Sequence, residues 1–349
     1  MRRNEPIKKT VIWLNLRRLV LWGLVVIATA GSPVVGESAS GVPYALGERH
    51  TVVDQAGRHL DVRRPFHRII SLYGAHTENL FALGCDATVI GVGRNEVYPP
   101  TALKKPEFSY QDDPEKFLAA RPDLVLVRPM IDRGYPDLMR RLEKSGIAVV
   151  SIQPGTVAEM YSYWNVLGVL TGHEAAAAAM IARFREATER FRALTADIQE
   201  KKRVYFESIH SKMKTFTPQS MAVFALETAG GINVAADARQ VRTTNIAEYG
   251  KERILSRASE IQVYLSQYGA MNRPSKAAIK AEPGFTVIRA IRDDQVYLID
   301  EMIVSRPTMR LLAGIYEIGS LLYPERFGKN ALEILKTAGV APPAGQRQE

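Results

Sequence analysis

Cysteine is almost missing from this chain: of 349 residues only Cys85 carries a thiol. No intrachain disulfide can form, and the multi-cysteine zinc and iron–sulfur patterns are excluded. Histidine is scarce too, six residues with no His-rich loop, which leaves little for a free-metal site built from several imidazoles and a carboxylate. Long apolar runs are absent. The most extended, Leu19–Ala30, has about twelve apolar residues against the roughly 20 a membrane span needs. There is no G-x-S-x-G, no P-loop, no G-x-G-x-x-G after a strand and no H-E-x-x-H, so the commonest sequence signatures of catalysis are lacking and no catalytic residue is assigned. Gly91-Val-Gly93 runs into Arg94-Asn95-Glu96 and has no third glycine.

What is present is a chain 46% hydrophobic and 24% charged, enough for about two cores. The formal charge of +9 suggests a polyanionic partner until it is partitioned. Arg2, Arg3, Lys8, Lys9, Arg17 and Arg18 against Glu5 place +5 in the first thirty residues and leave +4 for the rest. Nucleic acid is therefore not expected as a partner. The same thirty residues combine a basic start, a short apolar segment and Ala28-Thr29-Ala30 as a small-x-small cleavage site, the pattern of a secretory signal peptide over 1–30. No cysteine follows the apolar segment, so the expected product is exported to the periplasm without a lipid anchor.

Beyond residue 45 the sequence alternates between strand-like and helix-like runs. Residues 50–62 read as a hairpin around Gln55-Ala56-Gly57. Arg68–Leu72, Val89–Val92, Leu124–Val127 and Ile147–Ile152 read as strands, and Thr77–Leu83, Pro114–Ala120 and Pro136–Lys144 as helices. From Glu174 to Lys202 the composition turns to Ala, Glu and Arg without Gly or Pro, predicting one long helix. Alternation then resumes over Arg203–Ile209, Gln219–Ala229, Lys251–Arg257, Ile261–Leu265, Val287–Ile291, Val296–Ile299 and Arg306–Leu322. The expected fold class is α/β, with two parallel-sheet α/β lobes joined by one long backbone helix. The N-terminal lobe covers 45–168, the interlobe helix 170–202, the C-terminal lobe 203–330 and a tail 331–349, frayed over Thr337–Glu349. A weak internal repeat agrees with two similar lobes. Glu115-Lys-Phe-Leu118 leads nine residues on into Leu124–Val127, and Glu252-Arg-Ile-Leu255 leads nine on into Ile261–Leu265, each with a carboxylate at a helix start.

Six segments in this order resemble the class III periplasmic substrate-binding proteins of ABC importers, which carry ferric siderophores, haem and cobalamin. They are Val53–Arg58, Arg68–Leu72 with Thr77–Gly84, Pro114-Glu115 running into Arg121–Val125, Leu167-Gly168 with Thr171-Gly172, Gly230–Ala235, and Ser305–Thr308. The resemblance covers about residues 50–328. It implies a binding protein rather than an enzyme, working as a monomer with an inner-membrane permease dimer and its ATPase, and holding no cofactor beyond its transported ligand. It also implies two docking carboxylates, one per lobe, which fall on Glu115 and Glu252.

In such folds, loops after the carboxyl ends of parallel strands line the ligand crevice. Those loops contain Tyr73, His76, Tyr98, Tyr110 and Arg128 with Met130 in the first half, and His210, Lys212, Met213, Lys214, Tyr268 and Arg273 in the second. Phenol and imidazole can stack on or ligate a chelate, while Arg and Lys neutralise carboxylate or catecholate groups. No direct metal site is expected. Tyr110 and His210 are the candidates for reaching a metal inside the ligand. The family's haem binders place a tyrosine shortly before the first docking glutamate, and Tyr110 precedes Glu115 by five, but Ser109-Tyr-Gln-Asp-Asp-Pro departs from the usual Tyr-x-Arg. Cobalamin binders of the family tend to carry an aromatic where Arg128 stands. The resemblance therefore implies capture of an iron chelate of the ferric siderophore type, with a corrinoid or haem as the alternative.

Overall fold

The computed structural model describes residues 45–46, 50–241 and 244–343. The expected signal peptide and the last six residues lie outside them. Among the described residues no helix is long and apolar enough to cross a membrane.

A three-stranded antiparallel meander comes first: β1 (Ala45–Leu46), β2 (Thr51–Val53) and β3 (His59–Asp61). The first lobe follows with β4 (Ile69–Ser71), α1 (Gly74–Ala82), β5 (Val89–Gly93), β6 (Glu107–Phe108), α2 (Pro114–Ala120), β7 (Leu124–Val127), α3 (Pro129–Gly134), α4 (Pro136–Lys144) and β8 (Ala148–Ser151). Its five strands are all parallel, in the order β6-β5-β4-β7-β8. Two helices, α5 (Val157–Thr171) and α6 (Glu174–Ala193), lead to the second lobe. That lobe contains β9 (Arg203–Ile209), β10 (Lys214–Phe216), α7 (Met221–Thr228), β11 (Ile232–Asn233), β12 (Arg239–Gln240), β13 (Ile246–Glu248), α8 (Lys251–Ser256), β14 (Val263–Tyr268), α9 (Lys276–Ala281), α10 (Arg289–Arg292), β15 (Val296–Asp300), α11 (Glu301–Val304) and α12 (Leu311–Leu322), with α13 (Lys329–Ala338) last. The second sheet is mixed, because β10 runs antiparallel to both β9 and β13 while β14 and β15 continue parallel to β9.

The sequence of β7, Leu-Val-Leu-Val, is buried on both faces, as a central parallel strand requires. Leu124 and Leu126 point into one core, Val125 and Val127 into another. In β9, Val204 and Phe206 share the core of Leu124, while Tyr205 faces a third cluster. One apolar core therefore runs from the first sheet through Trp164 of α5 and Phe184 and Phe191 of α6 into the second sheet and α12. The interlobe helices are set into that core.

The end of α6 corrects the expectation of one helix to residue 202. Its hydrogen-bond ladder tightens after Leu194, where Thr195, Ala196 and Ile198 each donate to the carbonyl three residues back. Thr195 is buried, and its side chain packs so closely on Gly230 that a Cβ there would lie 2.5 Å from Thr195 Oγ1. Tertiary packing ends this helix at a place composition does not mark. The tail reading is corrected in the same way: α13 puts Ile334, Leu335 and Ala338 into the shared core, and Gly339 closes it at φ 72°. Helix α12 starts at Leu311 instead of Arg306, since Pro307 and its neighbours are used between the lobes.

Candidate crevice between the lobes

The carboxyl ends of the central strands β4 and β7 place Tyr73 and Arg128 side by side. Arg128 occupies the N-cap position of α3, but its side chain makes no capping hydrogen bond. Its guanidinium lies instead over the Tyr73 ring, 5.2 Å from the centroid. Burial pushes the Tyr73 phenol up, against the opposing charges of Arg306 and Arg128.

His76 does not join them, which corrects its place among the ligand-binding candidates. It is fully buried, with Nε2 at 3.1 Å from the Val127 carbonyl and Nδ1 at 2.7 Å from the Tyr163 hydroxyl. A carbonyl only accepts, so Nε2 carries the proton and Nδ1 accepts from Tyr163. Burial holds its pKa down to about 4, the Val127 bond opposing and Arg128 assisting. The ring stands edge-on to Tyr73 at 5.1 Å and supports that side chain from below. Tyr110 packs on Tyr135 with centroids 4.7 Å apart and belongs to the outer core of the first lobe. Tyr98 reaches across to the second lobe, where Arg310 lies over its ring at 4.4 Å.

On the second lobe His210 follows β9 and is anchored from beneath. Its Nδ1 is 2.9 Å from Oε1 of the fully buried Glu207, which also accepts from Tyr264 and Ser266, each at 2.6 Å. The Glu207 hydrogen bond raises the His210 pKa against the burial that lowers it. Asn272 accepts from the His210 backbone N–H at 3.0 Å and so ties the 269–273 loop to this turn. Tyr268 and Met271, and in the first lobe Met130, are exposed apolar side chains at the same strand ends; Lys212 and Arg273 are exposed cations there. Met213 turns the chain at φ 47°, and Lys214 pairs with Glu248 at 3.5 Å.

Three residues that the strand-end loops did not single out complete the crevice. Arg306 reaches from the 305–310 segment so close to α1 that a Cβ on Gly74 would lie 2.3 Å from its Nη1, which explains glycine beside Tyr73. Glu78 of α1 binds Arg306 and Arg310 together. Glu96, in the loop after β5, accepts from Thr77 Oγ1 at 3.1 Å with Oε1. The sequence held Arg306 and Glu78 only inside family segments and Glu96 only in the run after Gly91-Val-Gly93. A shallow open hollow of about 330 Å³ is lined by Gln55, Ala56, Pro129, Asp132, Arg133 and Ser151. Among the described residues no group of three or more His, Cys, Asp or Glu side chains is placed to hold a bare metal ion.

Glu115 and Glu252 sit in the first turns of α2 and α8. Each helix runs back along its sheet before a parallel strand, so its N-terminus lies at the edge where the crevice loops emerge. Asp113 caps α2 through the Glu115 N–H at 2.9 Å, and Pro114 opens the helix. The Glu115 side chain is 64% exposed and pairs with Arg141 of α4. Glu252 is exposed and has no ion-pair partner among the described residues.

Comparison with known proteins agrees with this architecture. The sequence model for the family described as periplasmic binding protein matches residues 69–302. The ABC transporter substrate-binding lipoprotein YvrC of Bacillus subtilis (strain 168), itself uncharacterized, is 24% identical over 332 residues, covering 92% of this chain and 99% of that one. The vitamin B12-binding protein of Vibrio cholerae serotype O1 (strain N16961) is 24% identical over 263 residues, 74% of this chain and 90% of its own. Among solved structures, an ABC-type Fe3+-hydroxamate transport system protein from Saccharomonospora viridis DSM 43017 superposes with a TM-score of 0.60 at 22% identity, covering 79% of this chain and all of that one. The fold is that of these two-lobed binding proteins.

Proposed function

The chain belongs to the periplasmic binding protein family, and from that premise we propose that it captures a ferric chelate of the siderophore type in the periplasm and delivers it to an ABC permease. It is a substrate-binding transport protein, not an enzyme. The observation that carries the ligand class is the stacking over Tyr73 of Arg128, a cation with no ion-pair partner among the described residues, on one lobe, together with the exposed cations Lys212 and Arg273 at the strand ends of the other. A crevice with a cation on each wall and an aromatic surface between them suits an anionic, oxygen-rich chelate, which guanidinium groups bind by charge-assisted hydrogen bonds. Tyr268, Lys212, Arg273 and His210 are the second lobe's contributions at the mouth. Tyr110, packed on Tyr135, is a weaker candidate for reaching the metal.

A corrinoid is the second reading, favoured by the vitamin B12-binding relative that shares most of its length with this chain. The exposed Met130, Tyr268 and Met271 would suit the flat face of such a ligand or of haem. Titration of intrinsic fluorescence with ferric desferrioxamine B, a ferric catecholate, hemin and cyanocobalamin separates these readings, since tyrosines at a coloured ligand are quenched. Submicromolar binding of a ferric siderophore supports the first reading. Selective binding of cyanocobalamin or hemin replaces it.

Export rests on the basic, apolar and small-residue pattern of residues 1–30, and cell fractionation tests it. The absence of a cysteine after that pattern favours a protein free in the periplasm, whereas YvrC is a lipoprotein. For delivery, Glu115 and Glu252 are the docking carboxylates of a monomer that meets the permease dimer with the crevice edge of both lobes. Apart from its transported ligand the protein needs no cofactor.

A further inference from the structure

The loop after β5 carries a carboxylate that the protein itself leaves half used. Glu96 Oε1 accepts the Thr77 hydroxyl, but Oε2 is buried and has no hydrogen-bond donor among the described residues. A buried carboxylate oxygen without a donor is costly to keep and calls for an explanation. Thr77 is in turn tied to Ser71, the last residue of the central strand β4, with oxygens 2.8 Å apart. Glu96 is thus fixed at the edge where the crevice opens, and Tyr73 after the neighbouring strand β4 and Arg128 after β7, the next strand over, stand at that edge too. Two charged groups face it from other elements, Arg306 from the 305–310 segment and Glu78 from α1. Arg94 of its own loop is turned away to Asp112 at 3.0 Å.

We infer that Glu96 is a ligand-recognition residue whose Oε2 accepts an N–H or O–H carried by the transported chelate, so that the ligand presents an amide or hydroxyl donor to the first lobe as well as oxygens to Arg128. This inference rests on the chelate-binding reading and narrows it: hydroxamate siderophores with amide N–H groups and corrinoids with amide arms qualify, whereas hemin, whose propionates only accept when ionised, does not. Burial pushes the Glu96 pKa up to about 7, with Arg306 and the Thr77 hydrogen bond opposing. A ligand that donates to the carboxylate favours the anion, so binding strengthens as pH rises through that value. The gain is about tenfold between about pH 6 and about pH 8, the ratio of anionic fractions for a group titrating near the middle of that range.

The test is titration of the whole protein with ferric desferrioxamine B, cyanocobalamin and hemin at those two pH values, for the wild type, Glu96→Gln and Glu96→Ala. The expected result is that a donor-bearing probe binds, that the wild type shows the tenfold gain, that Glu96→Gln abolishes the pH dependence and that Glu96→Ala binds about tenfold or more weakly at the higher pH. Equal affinity of the three proteins for a donor-bearing probe, or a pH slope that survives Glu96→Gln, overturns the inference and leaves the chelate reading standing, whereas binding of hemin alone overturns the inference and replaces the siderophore reading with the haem one. Binding of none of the three probes overturns the chelate reading and this inference with it. Glu96→Gln keeps the shape and the Thr77 contact, so it decides the matter even where Glu96→Ala folds poorly.

Discussion

Glu78 accepts hydrogen bonds from two arginines of the opposite lobe, Arg306 Nη1 at 2.9 Å and Arg310 Nε and Nη2 at 2.9 and 2.7 Å. Beside this cluster Asn79 Nδ2 donates to the Pro307 carbonyl at 2.9 Å, and Trp164 Nε1 approaches the same oxygen at 3.4 Å. The 305–310 segment is thereby fixed to α1 and α5. Its start does not join α12, because the Pro307 carbonyl and the Arg306 guanidinium are committed to the first lobe.

Removing the Glu78 carboxylate should therefore leave two mostly buried guanidiniums uncompensated. Glu78→Ala is expected to lower unfolding free energy by on the order of 3 kcal/mol, the lower end for a broken buried ion pair because both arginines keep some contact with water. Urea denaturation measures this. A loss under about 0.5 kcal/mol, the level of an ordinary surface substitution, would show that the cluster does not hold the lobes.

Acid should weaken the fold through His76. Its pKa is held down to about 4 in the folded protein against an ordinary value of 6.5. The unfolded chain thus takes up the proton first, and stability is present above about pH 6.5 and lost as pH falls toward 4, by up to about 3 kcal/mol. His76→Asn should melt with a shallower pH dependence over that interval. A slope unchanged from the wild type would assign the acid sensitivity elsewhere.

The bounds of α2, β7, α4 and β9 were readable because each is fenced locally: Asp113-Pro114 opens α2, Gly146 follows α4, and β7 is apolar throughout. The crevice was readable only in part. Counting from strand ends finds Tyr73, Arg128 and His210 but cannot tell which side chain turns outward. Thus His76, one turn into α1, fell among the candidates although it points into the core at Tyr163. Arg306 and Glu78 were not readable as site residues, since their role arises from a contact between segments more than two hundred residues apart, and neither was Glu96, which is placed by Thr77 of a different element. The end of α6 at Ala193 has the same origin, in the packing of Thr195 on Gly230.

Arg128→Ala is expected to weaken binding of the chelate by about 1–3 kcal/mol, roughly 5- to 150-fold in Kd, the range for hydrogen bonds to a charged group. Stability should hardly change, because the side chain caps no helix and its stacking on Tyr73 is worth about 0.5–1 kcal/mol at an accessible site. Isothermal titration and a thermal melt, run together, separate the two. Unchanged affinity with a lowered melting temperature would make Arg128 a structural residue.

Glu115 and Glu252 should matter for delivery and not for capture. Glu115 already pairs with Arg141, but both partners are more than half exposed, and such a pair contributes about 0–1 kcal/mol. Exchanging Arg141 for an arginine of the permease is therefore cheap, and Arg141→Ala is expected to leave uptake intact. Glu252 has no ion-pair partner among the described residues to give up. Changing either glutamate to Ala should leave ligand affinity unaltered and reduce uptake, and the double change should reduce it further, since two separated contacts on one body set its orientation. Reversal to Lys should be worse than Ala because it adds repulsion. The single-Ala defects should deepen with salt, which screens the remaining attraction. Stimulation of transporter ATPase in reconstituted vesicles measures all of this. Wild-type stimulation by the Glu115→Ala, Glu252→Ala double variant would reduce the two carboxylates to partners of their helix dipoles, worth a few tenths to about 1 kcal/mol each.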